Sequence, residues 1–157
     1  MKINKRIVGV FSLVLLCSLS VYSQDNKIIY DEYGPIYTSM NDSIMVYHTK
    51  EGKQLEIKLN QVCFKDGDDY LIEYLKKIYY KFNYNDDYSY RVFFFVLFNS
   101  NLRIKEIRGT TLPLNSYSES KRKRIKTYTK GLKRTKSKWK KVTNQKWYVY
   151  CFSFVTD

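Results

Sequence analysis

Between Asp42 and Leu59 apolar side chains recur on two short arms: Ile44, Val46 and Tyr47 on the first, and Leu55, Ile57 and Leu59 alternating on the second. Glu51-Gly52-Lys53 lies between them with turn chemistry, so the segment predicts a β-hairpin. Ile28 to Tyr37, just before it, is β-rich but carries Gly34-Pro35. That reads as an edge strand or an extended lead-in. At Asp66-Gly67-Asp68-Asp69 the period changes. Carboxylates suit the first turn of a helix, where they face orphan backbone N–H groups and the positive end of the dipole. Leu71, Tyr74, Leu75, Ile78 and Phe82 follow at helical spacing and make one apolar face. The polar, turn-rich Asn83-Tyr84-Asn85-Asp86-Asp87 ends that helix.

In the second half, Tyr90 to Phe98 is apolar at nearly every position and rich in aromatics. It predicts a strand whose better-buried face holds Val92, Phe94, Val96 and Phe98. Asn99-Ser100-Asn101 turns the chain into a return strand from Leu102 to Arg108. Ser116-Tyr117-Ser118-Glu119 matches a capping box and starts a second helix. Its thin stripe is Ile125, Tyr128 and Leu132, and Gly131 is placed to end it in a left-handed conformation. A final strand runs from about Lys146 to Val155, with Tyr148, Tyr150, Phe152 and Phe154 on one face. The order predicts an α+β fold of two layers, an antiparallel sheet with two helices on one face, preceded by an N-terminal β-hairpin. No internal repeat and no Pro-rich linker interrupts it.

Charge sharpens this picture because it is uneven. The 157 residues carry a formal net charge of +13. From Gln24 to Glu119 there are 12 basic and 14 acidic residues, and from Ser120 onward 13 basic residues against Asp157 alone. At the other end, Lys2, Lys5 and Arg6 precede an apolar run and a Val21-Tyr22-Ser23 tripeptide, the pattern of an export signal cleaved before Gln24. The run of about 16 residues is short for a spanning helix, which needs ~20. Cys17 follows Leu16, where lipidation requires a small residue. The chain therefore divides into a leader at 1–23, a β-rich segment with the hairpin at 24–62, and a domain at 63–157. Its expected location is periplasmic or secreted, with inner-membrane anchoring as the alternative.

Candidate chemistry is sparse. His48 is the single histidine, which removes most His-dependent triads and multi-His metal sites. Asp66, Asp68 and Asp69 lack the ligand loop and terminal glutamate of an EF-hand. No Gly-rich phosphate loop or nucleophile elbow is present, and neither Cys63 nor Cys151 has a histidine nearby in sequence to act as base. The sequence thus predicts no catalytic residues, no metal and no cofactor. In an oxidising compartment Cys63 and Cys151 form a candidate disulfide, with two buried thiols as the alternative. Lys121, Arg122, Lys123 and Arg124 form a candidate anion site, and Trp139 or Trp147 could stack on bases. The aromatics, however, fall in a strand pattern that a core needs. Nucleic acid is therefore not expected, and an anionic polymer or membrane surface of the envelope suits the same lysines through Lys141.

From Gly67 onward the pieces resemble the C-terminal domain of the TonB energy-transducer family, in its Bacteroidetes-type versions. Gly67-Asp68-Asp69-Tyr70-Leu71 with Tyr74-Leu75 is similar to that family's first helix, and Arg91 to Arg108 to its hairpin. Trp139-Lys140 and the closing strand resemble its tryptophan turn and last strand. Leu102 stands where the family has a turn glycine, so Asn101 is expected to carry the left-handed conformation. The resemblance implies a non-enzymatic module that docks an outer-membrane transporter, or another periplasmic protein, by strand pairing along its last strand. Carried over, the partner-binding residues are Trp147, Tyr148, Val149, Tyr150, Cys151 and Phe152. A homodimer is a further expected assembly.

Overall fold

The computed structural model describes residues 29–40, 43–80, 89–112 and 118–156. Among them the strands are β1 (Ile29–Asp31), β2 (Gly34–Met40), β3 (Ile44–His48), β4 (Gln54–Lys58), β5 (Val62–Phe64), β6 (Tyr90–Asn99), β7 (Ile104–Leu112), β8 (Trp139–Lys141) and β9 (Trp147–Thr156). Two helices, α1 (Asp68–Tyr80) and α2 (Glu119–Lys133), complete the order. The leader, Phe82, Asn83 to Asp87 and Ser116 lie outside the described residues.

The centre is the sheet β7-β6-β9, antiparallel throughout. β6 pairs with β9 along its whole length, from Tyr90↔Thr156 to Asn99↔Trp147. On one face Val92, Phe94, Val96 and Phe98 meet Tyr148, Tyr150, Phe152 and Phe154, and Leu71 and Leu75 of α1 with Tyr128 and Leu132 of α2 close the core above them. On the other face Phe93, Phe95, Leu97 and Val149 pack against Ile36, Met45, Tyr47 and Ile57. Those four come from a second antiparallel sheet, the meander β1-β2-β3-β4.

The α+β class, the antiparallel pairing and the helices on one face of the central sheet are as the pattern predicts. The layers differ. The hairpin of β3 and β4 is extended by β1 and β2 into a sheet that covers the second face, so three layers stand where two were expected. This explains why β6 is apolar without alternation: a strand buried on both faces has no solvent side to mark. The segments 24–62 and 63–157 share that second core. Within β3 it is Met45 and Tyr47 that point inward, leaving Ile44 and Val46 half-buried.

Three local expectations are corrected. Leu102 itself, and not Asn101, takes the left-handed conformation, at φ 55°. The Asn99 side chain accepts from the backbone N–H groups of Asn101 and Arg103, which closes the turn around it. Leu102 packs against the helix-side core, which offsets the ~1–2 kcal/mol that this backbone geometry costs a side chain. Second, α2 is capped by Ser118, whose hydroxyl accepts from Lys121 N–H, and Glu119 is already helical. Third, Gly131 lies inside α2 and does not end it. A Cβ there would sit 2.8 Å from Ile78 Cδ1, so the glycine lets α2 approach α1.

Candidate functional site

β9 ends the central sheet, and among the described residues no strand pairs with its side away from β6. All six candidate partner-binding residues lie on it, but their side chains are engaged inside the protein. Tyr148, Val149, Tyr150 and Phe152 are buried, and Trp147 and Cys151 pack against the meander-side core. The Tyr148 hydroxyl donates to Thr143 O at 2.9 Å and accepts from Gln145 N–H. The Tyr150 hydroxyl donates to Asp68 in the first turn of α1, and burial, with that carboxylate, raises its pKa far above the phenol range. What β9 can offer a partner is therefore its main chain.

The turn ahead of β9 is likewise tied into the core. Trp139 is 3% exposed; its ring lies 4.9 to 5.0 Å from Phe64, Phe98 and Tyr150, and its Nε1–H donates to Thr135 Oγ1 at 3.0 Å. A base cannot stack on it. β8 pairs with β5, from Val62↔Lys141 to Phe64↔Trp139, and Lys138 Nζ donates to Asp66 at 2.9 Å. The acidic cluster thus divides its work: Asp66 holds the entry to β8, Asp68 holds Tyr150, and with Asp69 it supplies the negative charge of the first turn.

The candidate disulfide is not formed, and both cysteines are free thiols. Val62 and Phe64 turn into the helix-side core, so Cys63 between them points to the other face, with its Sγ 3.9 Å from Lys140 O, whereas Cys151 opposite Phe95 packs against the meander-side core. Burial pushes the Cys151 thiol up to about 12. The tetrabasic cluster is also dispersed around α2. Lys121 and Arg124 each lie 5.0 Å from the Tyr90 ring centre, with Arg124 buried. Arg122 reaches Glu32 at 4.0 Å, and Lys123 pairs with Glu119 at 3.0 Å. These four do not form one anion site.

Sequence reading missed a buried ionic network on the meander side of β7. Arg108 Nε donates to Asp31 Oδ2 at 2.8 Å, its Nη2 to Asp31 Oδ1 and to Gly34 O, and its Nη1 to Pro35 O and His48 O. Every donor of the guanidinium is used. Two residues along, Glu106 accepts from the Tyr47 hydroxyl at 2.8 Å and Lys50 N–H at 3.0 Å. The spacing Glu106-x-Arg108, two polar residues on one face of a strand, was the available signal.

His48 Nε2 lies 2.9 Å from Thr38 Oγ1. Among the described residues no group of three His, Cys, Asp or Glu side chains is placed to hold a metal ion, and no helix is long and apolar enough to cross a membrane. No protein-family model, no curated protein and no solved structure matches this chain.

Proposed function

We propose that the protein is an exported, non-enzymatic binding module, TonB-C-terminal-like, that takes an extended segment of a partner by strand addition at the outer edge of β9. The observation that carries this reading is the state of β9: ten residues long, last in its sheet, unpaired on one side among the described residues, and with its side chains anchored in two cores. An edge of this kind presents a row of backbone donors and acceptors held rigid, which is what strand addition uses for affinity. Leu102 in the left-handed conformation at the family's glycine position supports the same reading. The partner class is an outer-membrane transporter or another periplasmic protein.

Hydrogen exchange tests it. A synthetic peptide carrying the TonB box of an outer-membrane transporter, added to the full chain, should slow exchange at the amides of 147–156. The protection should persist when Lys121 and Lys123 are both changed to Glu. Protection confined to other strands, or abolished by that charge reversal, would exclude β9 as the docking edge.

A further inference from the structure

A groove of about 260 Å³ lies beside β7, with Ile107, Arg108 and Gly109 at its base, α2 along one side and the β1–β2 turn with Lys50 along the other. Both walls are fixed. Arg108 ties the turn to β7 through Asp31, Gly34 and Pro35. On the opposite side α2 rests so closely on the strand that a Cβ at Gly109 would lie 3.0 Å from Ile125 Cγ2. The base is closed as well: Arg108 and Thr110 are buried, and every donor of the guanidinium is used inside the protein. Recognition in this groove therefore falls to its walls.

The walls are cationic. Arg122, Lys126, Lys130 and Lys133 recur at helical spacing along one exposed face of α2 and line the groove, a stripe about 16 Å long at the rise of an α-helix. Lys50 stands on the other wall with its ammonium 3.7 Å from the centre of the Tyr33 ring. Asp31 is neutralised by Arg108, which leaves Glu32, 4.0 Å from Arg122, as the remaining carboxylate of the lining. Among the described residues no carboxylate stands within ion-pair distance of Lys126, Lys130 or Lys133. Neighbouring cations without counter-ions repel one another, and an anionic occupant relieves that repulsion.

The geometry narrows the occupant. A flat anionic surface bears on the rim of a groove, whereas cations on both walls close around a chain. Stacked bases need an open aromatic face, and Tyr33 carries Lys50 on its ring while Trp139 is buried. The charged lining is mostly ammonium groups, which donate without a preferred plane and suit phosphate as point charges. An occupant that only accepts hydrogen bonds matches such a lining, whereas an acidic peptide brings a backbone donor at nearly every residue.

We infer that the groove beside β7 is a docking site for a linear polyphosphate chain, whose successive phosphates lie against Lys126, Lys130 and Lys133 with Lys50 closing from the other wall. The site uses no residue of β9 and does not depend on strand addition there.

The test uses the full chain and an end-labelled inorganic polyphosphate, read by fluorescence anisotropy. The polymer should bind, and the logarithm of its affinity should fall against the logarithm of salt with a slope of about −3, as four charges contacted on a single chain require. In about 0.15 M salt, charges more than about 8 Å apart are largely screened, so local substitutions can be compared. Lys126→Glu with Lys130→Glu should lower the affinity about tenfold or more and roughly halve the slope. Lys50→Glu, on the far wall, should lower it about threefold or more. Lys140→Glu with Lys141→Glu makes the same change of net charge on exposed residues of β8, and should leave the affinity within about twofold of the parent. Equal losses in the two double variants would reduce binding to net charge and overturn the inference. So would an unchanged affinity in Lys50→Glu, or displacement of the labelled chain as readily, charge for charge, by phosphatidylglycerol vesicles, an oligonucleotide, polyglutamate or a glycerol-phosphate polymer as by unlabelled polyphosphate.

Discussion

Arg108 and Asp31, 77 positions apart, meet as a two-point ion pair with side chains 0% and 3% exposed. Burial alone would lower the pKa of the guanidinium, and the hydrogen bond and charge of Asp31 reverse that, leaving it raised. The remaining donors go to carbonyls of Gly34, Pro35 and His48. One side chain of β7 thereby fastens three separate parts of the meander to the central sheet.

Removing either partner should cost far more than the pair contributes net, because a charge is then left buried alone. Arg108→Met strands the Asp31 carboxylate and three carbonyls, and is expected to lower unfolding free energy by about 3–5 kcal/mol in urea titrations. The double variant Arg108→Met with Asp31→Leu should recover a substantial part of that loss. A single variant within ~1 kcal/mol of the parent would mean the pair is solvated.

Much of the frame is legible in the sequence. Both helices, the β3/β4 hairpin, the β6–β7 hairpin and the last strand β9 follow from apolar spacing and turn chemistry; that β9 pairs with β6 is a finding of the structure. The third layer is hidden in the one place where periodicity fails: β6 is apolar on both faces, a pattern that one covered face cannot explain. The Arg108 network is hidden for a related reason. A charge in a strand reads as exposed, and only the register Phe95↔Arg108 puts it beneath the meander. Gly131 is ambiguous because close helix approach and helix termination both select glycine. The last strand lies where its pattern puts it, but its side chains are core, which leaves the backbone as its recognition surface.

Gly109 sits opposite Phe94 in the β6–β7 pair. A Cβ at this position would fall 2.7 Å from Phe94 Cε1, and that ring is itself fully buried between Tyr128, Phe152 and Phe154. Gly109→Ala should therefore destabilise by about 1–3 kcal/mol through overpacking, and Phe94→Leu should cost less in that background than in the parent. A thermal melt of the four proteins of the cycle decides it. Additive losses would show that the two positions do not collide.

Trp139 joins three aromatic neighbours to one hydrogen bond, so its two contributions can be separated. Trp139→Phe keeps most of the ring packing but leaves Thr135, whose own hydroxyl donates to Leu132 O at 2.6 Å, without the indole donor. It should cost about 1–2 kcal/mol, whereas Trp139→Ala should cost about 3–5 kcal/mol. Iodide should also quench Trp147, which is half-buried, more than Trp139. Equal quenching of the two single-tryptophan variants would contradict the buried placement.

Alkaline pH probes the central sheet from within. Burial pushes the Cys151 thiol up to about 12 and the Tyr37 phenol likewise to about 12. Tyr47 is raised further, by burial and then by Glu106. In the unfolded chain these groups release protons at about 8.5 for cysteine and about 10 for tyrosine. A raised folded pKa means the native state holds the proton longer. Stability is then complete below about pH 8.5 and is lost as pH climbs toward 12, by up to about 1.4 kcal/mol per pH unit for each group while it titrates only in the unfolded state. Lysine deprotonation near pH 10.4 relieves repulsion and acts in the opposite direction, so the window from about pH 8.5 to 10 isolates the thiol. Urea midpoints should decline across that window in the parent and stay level in Cys151→Ala. Identical slopes in the two proteins would place the Cys151 thiol in water.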